Sequence, residues 1–353
     1  MNRATEARRS KQTIYPIFLP HAGCPFQCVY CNQNSVTSGH RARLPAAALM
    51  EHFEQKFAAL LEQINGAGSP GEIAFYGGTF TAISNAELRH ILDTVSPWVE
   101  RGVFTGIRFS TRPDCMGREV RSLLADYPVK TVELGVQTLC DQVLNESRRG
   151  YSSEKIKEAA DSIQKMGWQL GIQLMPGLPG DNRSRFIDSV RRTIELSPGF
   201  VRLYPTIVLN KTVLADWYQR GIYQPLSLDE AVDWCTAAYE MFLQAEIGIA
   251  RMGLHADPEL ETPGNILAGP YHPAFGYLVK VRWWRRQVDR RLADYRRGEK
   301  RSLLLRIPQR FISEALGPQK ANIYYWLKKW QFDEVKVKAE ADWSSNRFEA
   351  ILQ

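Results

Sequence analysis

Cysteine is scarce in this chain of 353 residues, six in all, and no run of eighteen apolar residues occurs anywhere in it. A membrane-spanning helix needs about 20 consecutive apolar residues. The start, MNRATEARRSKQT, carries basic residues but not the apolar stretch of a secretory leader. Both absences argue against a membrane protein or a secreted one and leave the cytoplasm as the expected location. Few and scattered thiols argue against a disulfide framework. Cys115, Cys140 and Cys235 lie singly and are expected as small buried side chains. Internal repeats and low-complexity segments are lacking too. A hydrophobic content of 44% at this length suits one large α/β domain with a smaller companion.

An acidic excess is also missing, for the formal net charge is +7. Residues 280–301, KVRWWRRQVDRRLADYRRGEKR, hold ten Lys or Arg against three acids and so account for the whole excess. A surface facing a polyanion is therefore expected in the C-terminal third.

Short β-rich runs alternate with helical spacing through the first two hundred residues. Strands are expected at 14–19, 72–77, 106–111, 131–136, 168–174 and 200–205, and helices at 45–64, 84–96, 116–125, 153–166, 183–196 and 228–247. Six βα units with right-handed crossovers make a partial (β/α)6 barrel, with every strand's C-terminal end at one rim. A domain boundary is expected near residue 262. Residues 263–353 read as a small basic α+β domain: strand SLLLRIP, helix QRFISEAL, turn GPQK, helix ANIYYWLKKW, strand DEVKVKA. That order has the outline of a KH-type RNA module, whose GXXG loop clamps a nucleic-acid backbone. Here Lys320 replaces the second glycine. Residues 280–330 are thus a candidate RNA contact, with Trp283 and Trp284 either stacking on bases or packing in a core.

Half of the cysteines fall in HAGCPFQCVYCNQNS, as Cys24, Cys28 and Cys31 with spacing CX3CX2C after the first strand. Three thiolates on one loop can hold three irons of a cubic cluster and leave the fourth open. Zinc held by the three thiols with His21 or His40 is the alternative, although a structural zinc site has paired CXXC spacing.

With Tyr30 as the aromatic residue before the last cysteine, this loop resembles that of the radical S-adenosylmethionine (SAM) superfamily. The resemblance implies a [4Fe-4S] cluster ligated by Cys24, Cys28 and Cys31. It also implies SAM on the open iron, a reducing donor such as flavodoxin or ferredoxin, and a 5′-deoxyadenosyl radical that abstracts hydrogen. Further motifs extend it over roughly residues 10–250. FYGGTFTAI resembles the GGE-type motif that holds the methionine amino group, implying cofactor contacts at Gly77, Gly78 and Thr79. IRFSTRPD and VELGVQTLCDQVLNESRRGY resemble the subgroup of the elongator catalytic subunit and, more distantly, the oxygen-independent coproporphyrinogen oxidases. They imply contacts from Glu133, Gln137 and Arg149. Gln173, in GIQLMPGLPGD, stands where porphyrinogen-forming relatives place a ribose-binding aspartate. Arg202 and Tyr204 alternate with Val201 and Leu203, so one pair is expected to face the lumen.

The elongator subunit has wider cysteine spacing and a large acetyltransferase domain, neither of which this chain has. The function expected is an oxidoreductase-type radical SAM enzyme that modifies RNA. The alternatives are a non-catalytic iron-sulfur RNA-binding or regulatory protein, and a radical oxidase or decarboxylase of a small molecule such as a porphyrinogen.

Overall fold

The computed structural model describes residues 13–19, 24, 28–31, 45–64, 69–254, 258, 260–295, 301–341, 343 and 347–353. His21, His40, Gly23, Pro25 and Phe26 lie outside them. No helix of the described residues is long and apolar enough to cross a membrane. The chain divides into two compact units. One runs to Ala231 and resumes over Met241–Pro273, and the other takes Val232–Glu240 and Ala274–Gln353.

The larger unit is built on a parallel sheet. Its first six strands are β1 (Thr13–Phe18), β2 (Gly71–Tyr76), β3 (Phe104–Thr111), β4 (Val129–Gln137), β5 (Gln169–Leu174) and β6 (Phe200–Leu203). After the two-residue β7 (Val208–Leu209) comes β8 (Gly248–Met252), which pairs with β6 as a seventh parallel strand. β7 pairs instead with β9 (Ile266–Ala268), antiparallel. The six expected strands are thus present in chain order across a partial barrel. The added strand has the half-exposed sequence GIARM, which lacks the continuous apolar run of a doubly covered strand.

Helices of this unit are α1 (Ala46–Ile64), α2 (Asn85–Glu100), α3 (Arg118–Leu124), α4 (Asp141–Glu146), α5 (Ser153–Lys165), α6 (Arg183–Glu195) and α7 (Val213–Gln219). A further helix, α8 (Leu228–Gln244), runs through both units' segments. α2 and α8 start at capping boxes, Ser84 with Glu87 and Ser227 with Glu230, which satisfy helix-terminal N–H groups reciprocally. One sheet face supplies the core: Ile73, Phe75, Ile107, Phe109, Val132, Leu134, Ile172, Val201 and Leu203 are all fully buried. Each such side chain contributes about 1.5–3 kcal/mol relative to exposure. A two-residue period then puts the alternate residues on the opposite, lumen face.

In the smaller unit α9 (Phe275–Arg291) precedes β10 (Ser302–Pro308), α10 (Ile312–Leu316), α11 (Ala321–Trp330), β11 (Glu334–Glu340) and β12 (Glu349–Leu352). β10 is central, parallel to β11 and antiparallel to β12. Trp284, Trp326, Leu303, Leu305 and Ile307 form its core. Trp284 is therefore a core residue and not a base-stacking platform, while Trp283 packs against it and edge-on to Tyr239. In the GPQK turn Gly317, Gln319 and Lys320 all have positive φ, 73°, 50° and 61°. Lys320 thus adopts the left-handed backbone that its Cβ disfavours.

Candidate functional site

Because the strands are parallel, the loops after all of them open at one rim, and the polar lumen residues rise toward that rim. Strand register sets which side chains share the face. Phe18 pairs with Tyr76, Arg108 with Thr131, Ser110 with Glu133, Gly135 with Gln173, and Gln173 with Arg202.

The cysteine loop leaves β1 at Leu19, whose N–H donates to the Tyr76 carbonyl at 2.7 Å. Val29, fully buried, anchors it by donating to Ser147 O at 3.3 Å and accepting from Leu214 N at 2.8 Å. Cys31 N–H donates to Cys28 O at 3.1 Å. Arg149 Nη1 reaches the Cys28 sulfur at 3.1 Å and Arg112 Nη1 reaches it at 3.8 Å, so two buried guanidiniums face it. Arg149 also donates to Tyr30 Oη (2.9 Å), Tyr151 Oη (2.8 Å) and Gly135 O (2.5 Å). Burial alone would lower the Arg149 pKa, but Tyr151, Tyr30 and Cys28 outweigh it and hold it well above the usual value. Arg112 is clamped by Asp114 at 2.9 Å and lies over the Tyr151 ring. Cys24 Sγ and Thr79 Oγ1 are 3.2 Å apart, within hydrogen-bonding reach.

Among the described residues no disulfide forms, and no three His, Cys, Asp or Glu side chains group around a single metal-ion position. A cluster does not require such a group, since each thiolate meets its own iron. Three thiols at CX3CX2C, one of them under two cations, are a donor set suited to an iron-sulfur cluster.

Gly77 bends the next loop at φ +100°, and a Cβ there would meet the Leu19 carbonyl oxygen at 2.8 Å. Gly78 follows beside Leu19, Tyr76, Phe80 and Ser110. Gln137 ends β4 with φ 70°, and Gln173 Nε2 donates to its Oε1 at 3.1 Å.

Deeper in the lumen, Glu133 accepts from Tyr76 Oη (2.7 Å), Arg108 Nη1 (2.9 Å) and Arg202 Nε (2.6 Å). Arg108 also pairs with Glu72 at 2.5 Å, and Thr131 donates to Glu72 at 2.8 Å. Burial would raise the Glu133 pKa, but Arg202 first and then Arg108 and Tyr76 hold it below the carboxylate range. Tyr204 Oη accepts from Arg202 Nη1 at 3.3 Å.

The geometry therefore brings Arg149, Tyr30 and Cys28 together and sets Cys24 beside Thr79, with Gln137 and Gln173 as a contacting pair. Glu133 sits in a separate ionic network below them. Sequence reading passed over Arg112, Tyr151, Tyr76, Arg108 and Glu72. The alternation of Arg108 and Ser110 with apolar neighbours was a usable signal, whereas nothing local marks Arg112 as a partner of Cys28. Cys235 is buried as expected, while Cys115 and Cys140 are only part-buried.

A polar-lined parallel half-barrel with three thiols at its rim defines a class, and comparison with known proteins names it. The Radical SAM superfamily pattern matches residues 18–193 and the Radical_SAM C-terminal domain matches residues 198–285. The chain belongs to the radical SAM superfamily and is a radical SAM enzyme. It is 27% identical over 230 residues to a tRNA uridine(34) acetyltransferase of Dehalococcoides mccartyi, covering 57% of this chain and 50% of that protein. It is 25% identical over 274 residues to the heme chaperone HemW of Lactococcus lactis, covering 74% of this chain and 69% of that one. With human elongator complex protein 3 it shares 25% over 194 residues, covering 49% and 35%. The chain spans about half the length of the tRNA uridine(34) acetyltransferases it matches. Among solved structures, the archaeal Methanocaldococcus infernus Elp3 lacking its N-terminus superposes with TM-score 0.58 at 18% identity, covering 80% of this chain and 64% of that one. Escherichia coli coproporphyrinogen III oxidase superposes with TM-score 0.52 at 19% identity, covering 68% and 54%. At these identities the likeness is one of fold.

Proposed function

We propose that this chain abstracts hydrogen from an RNA substrate, in the cytoplasm, after reductive cleavage of SAM. The observation that carries the chemistry is the Cys28 sulfur under Arg149 and Arg112, on the loop whose CX3CX2C spacing also carries Cys24 and Cys31. RNA is favoured by the names of the tRNA-modifying relatives. Cys24, Cys28 and Cys31 would hold a [4Fe-4S] cluster. Bound there and reduced by a flavodoxin or ferredoxin, such a cluster would supply the electron for cleavage of the C5′–S bond of SAM.

The chain's own groups then bind and orient. Gly77, Gly78 and Thr79 offer peptide groups where a side chain would block approach. Gln137 and Gln173 offer amides at the ends of β4 and β5. Arg149 fixes Tyr30 and the cysteine loop and supplies the positive field toward which a carboxylate is drawn. Glu133, with its oxygens already shared among two arginines and Tyr76, is assigned a positioning role for Arg202 and Tyr76.

Anaerobic reconstitution with iron and sulfide, reduction, and quantification of 5′-deoxyadenosine test the chemistry. Wild-type protein is expected to release it, and Cys28→Ser to lose cluster absorbance and product together. A full reducible cluster that gives none rejects the proposal. For RNA, affinity for tRNA should fall steeply with salt. Failure to bind at any salt rejects that part.

A further inference from the structure

The lumen network balances its charges except at one end. Glu72 and Glu133 face Arg108 and Arg202, two acids against two bases. Arg251 on β8 is a third base. It pairs in register with Arg202 just past an irregularity in the ladder, where the extra residue Ala250 re-aims its side chain to the side of Arg202. Its Nε donates to the Gly253 carbonyl at 3.2 Å, which orients the guanidinium. Among the described residues no carboxylate pairs with it. Tyr204, two residues past Arg202, lies near enough for Arg251 to act on its ionisation. Its oxygen already accepts from Arg202, which leaves its own proton to donate. Burial holds the Tyr204 pKa above the usual value, so the group stays a phenol and a donor.

We propose that Arg251 and Tyr204, with Arg202 fixed behind them by Glu133, bind an oxyanion of the substrate, a phosphoryl or a carboxylate group. The inference rests on the function proposed above and names the part of the substrate that enters the lumen. A part-buried guanidinium has lost hydration, and a two-oxygen anion offers its fork the geometry it needs. Tyr204 adds a neutral donor from the neighbouring strand. For an RNA substrate the group is a backbone or terminal phosphate beside the base that reacts.

The test uses the full, cluster-reconstituted chain and measures binding of uridine 5′-monophosphate, uridine, inorganic phosphate and succinate by calorimetry. Wild-type protein is expected to bind the anions and to prefer the monophosphate to uridine. A preference for phosphate or for succinate identifies the source of the oxyanion. Arg251→Gln should weaken anion binding about 10- to 100-fold, the worth of one charge-assisted pair. Arg251→Lys, which keeps the charge without the fork, should fall between. Tyr204→Phe should weaken it several-fold and serves if the Arg251 variants do not fold. Equal binding by wild type and variants, or no anion binding by wild type, overturns the inference. So does weakened SAM binding with the anions unaffected, because Arg251 would then serve the cofactor. Cleavage of SAM by dithionite-reduced wild type is measured separately, so failure of the radical chemistry and failure of the anion site are told apart.

Discussion

Glu133 is the residue on which the lumen turns, because one carboxylate is shared by Arg108, Arg202 and Tyr76 in a place with little water. Removing one partner of a buried pair leaves the other charge without compensation, so Glu133→Ala should cost about 3–5 kcal/mol in urea unfolding. Its folded pKa is lowered, so the native state binds fewer protons than the unfolded chain. The stability it contributes is present above the ordinary carboxylate pKa and is lost as pH falls through the folded value. Glu133→Gln should flatten that acid-side slope. Part of this scale was legible in sequence: Arg202 and Tyr204 by alternation. Arg112 was not, because its tie to Cys28 joins residues on separate loops.

Among elements, the turn after β2 is the most constrained. Gly77→Ala would place a Cβ 2.8 Å from the Leu19 carbonyl at a φ of +100°. It should destabilise the protein by about 1–3 kcal/mol. Because Leu19 starts the cysteine loop, iron bound per chain after reconstitution should also drop. The loop after β5 carries a titration of opposite sign. Asp181 accepts from Gly177 N at 3.0 Å and Asn182 N at 2.9 Å, yet burial pushes its pKa up to about 6. A raised folded pKa gives stability that is complete below about pH 4 and is lost as pH rises through 6, about 1–2 kcal/mol for this part-exposed group. Comparing wild type with Asp181→Asn at pH 5 and pH 8 checks it, the variant gaining relative stability at the higher pH.

For the molecule as a whole, the first half of the basic run, residues 280–290, differs from the exposed stripe its composition implies. Arg286 and Arg282 pair with Asp233 and Arg290 with Glu240. Arg285 donates to Asn322 and lies over Tyr325, and Lys280 pairs with Glu314 at 2.8 Å. Arg286→Gln should therefore cost stability of about 1 kcal/mol and leave the salt dependence of RNA binding unchanged. A slope lowered by about one would instead mark a phosphate contact. By itself the sequence determined the order of the first six strands, the rim they share and the three-cysteine loop, because a period of two and a CX3CX2C spacing are local properties. Only the tertiary structure decided that β8 joins the sheet, that Arg202 meets Glu133 across 69 residues, and that Arg282, Arg286 and Arg290 find carboxylates within their own unit. A buried or crowded charge must find an opposite one, and strand register and helix packing choose which one it meets.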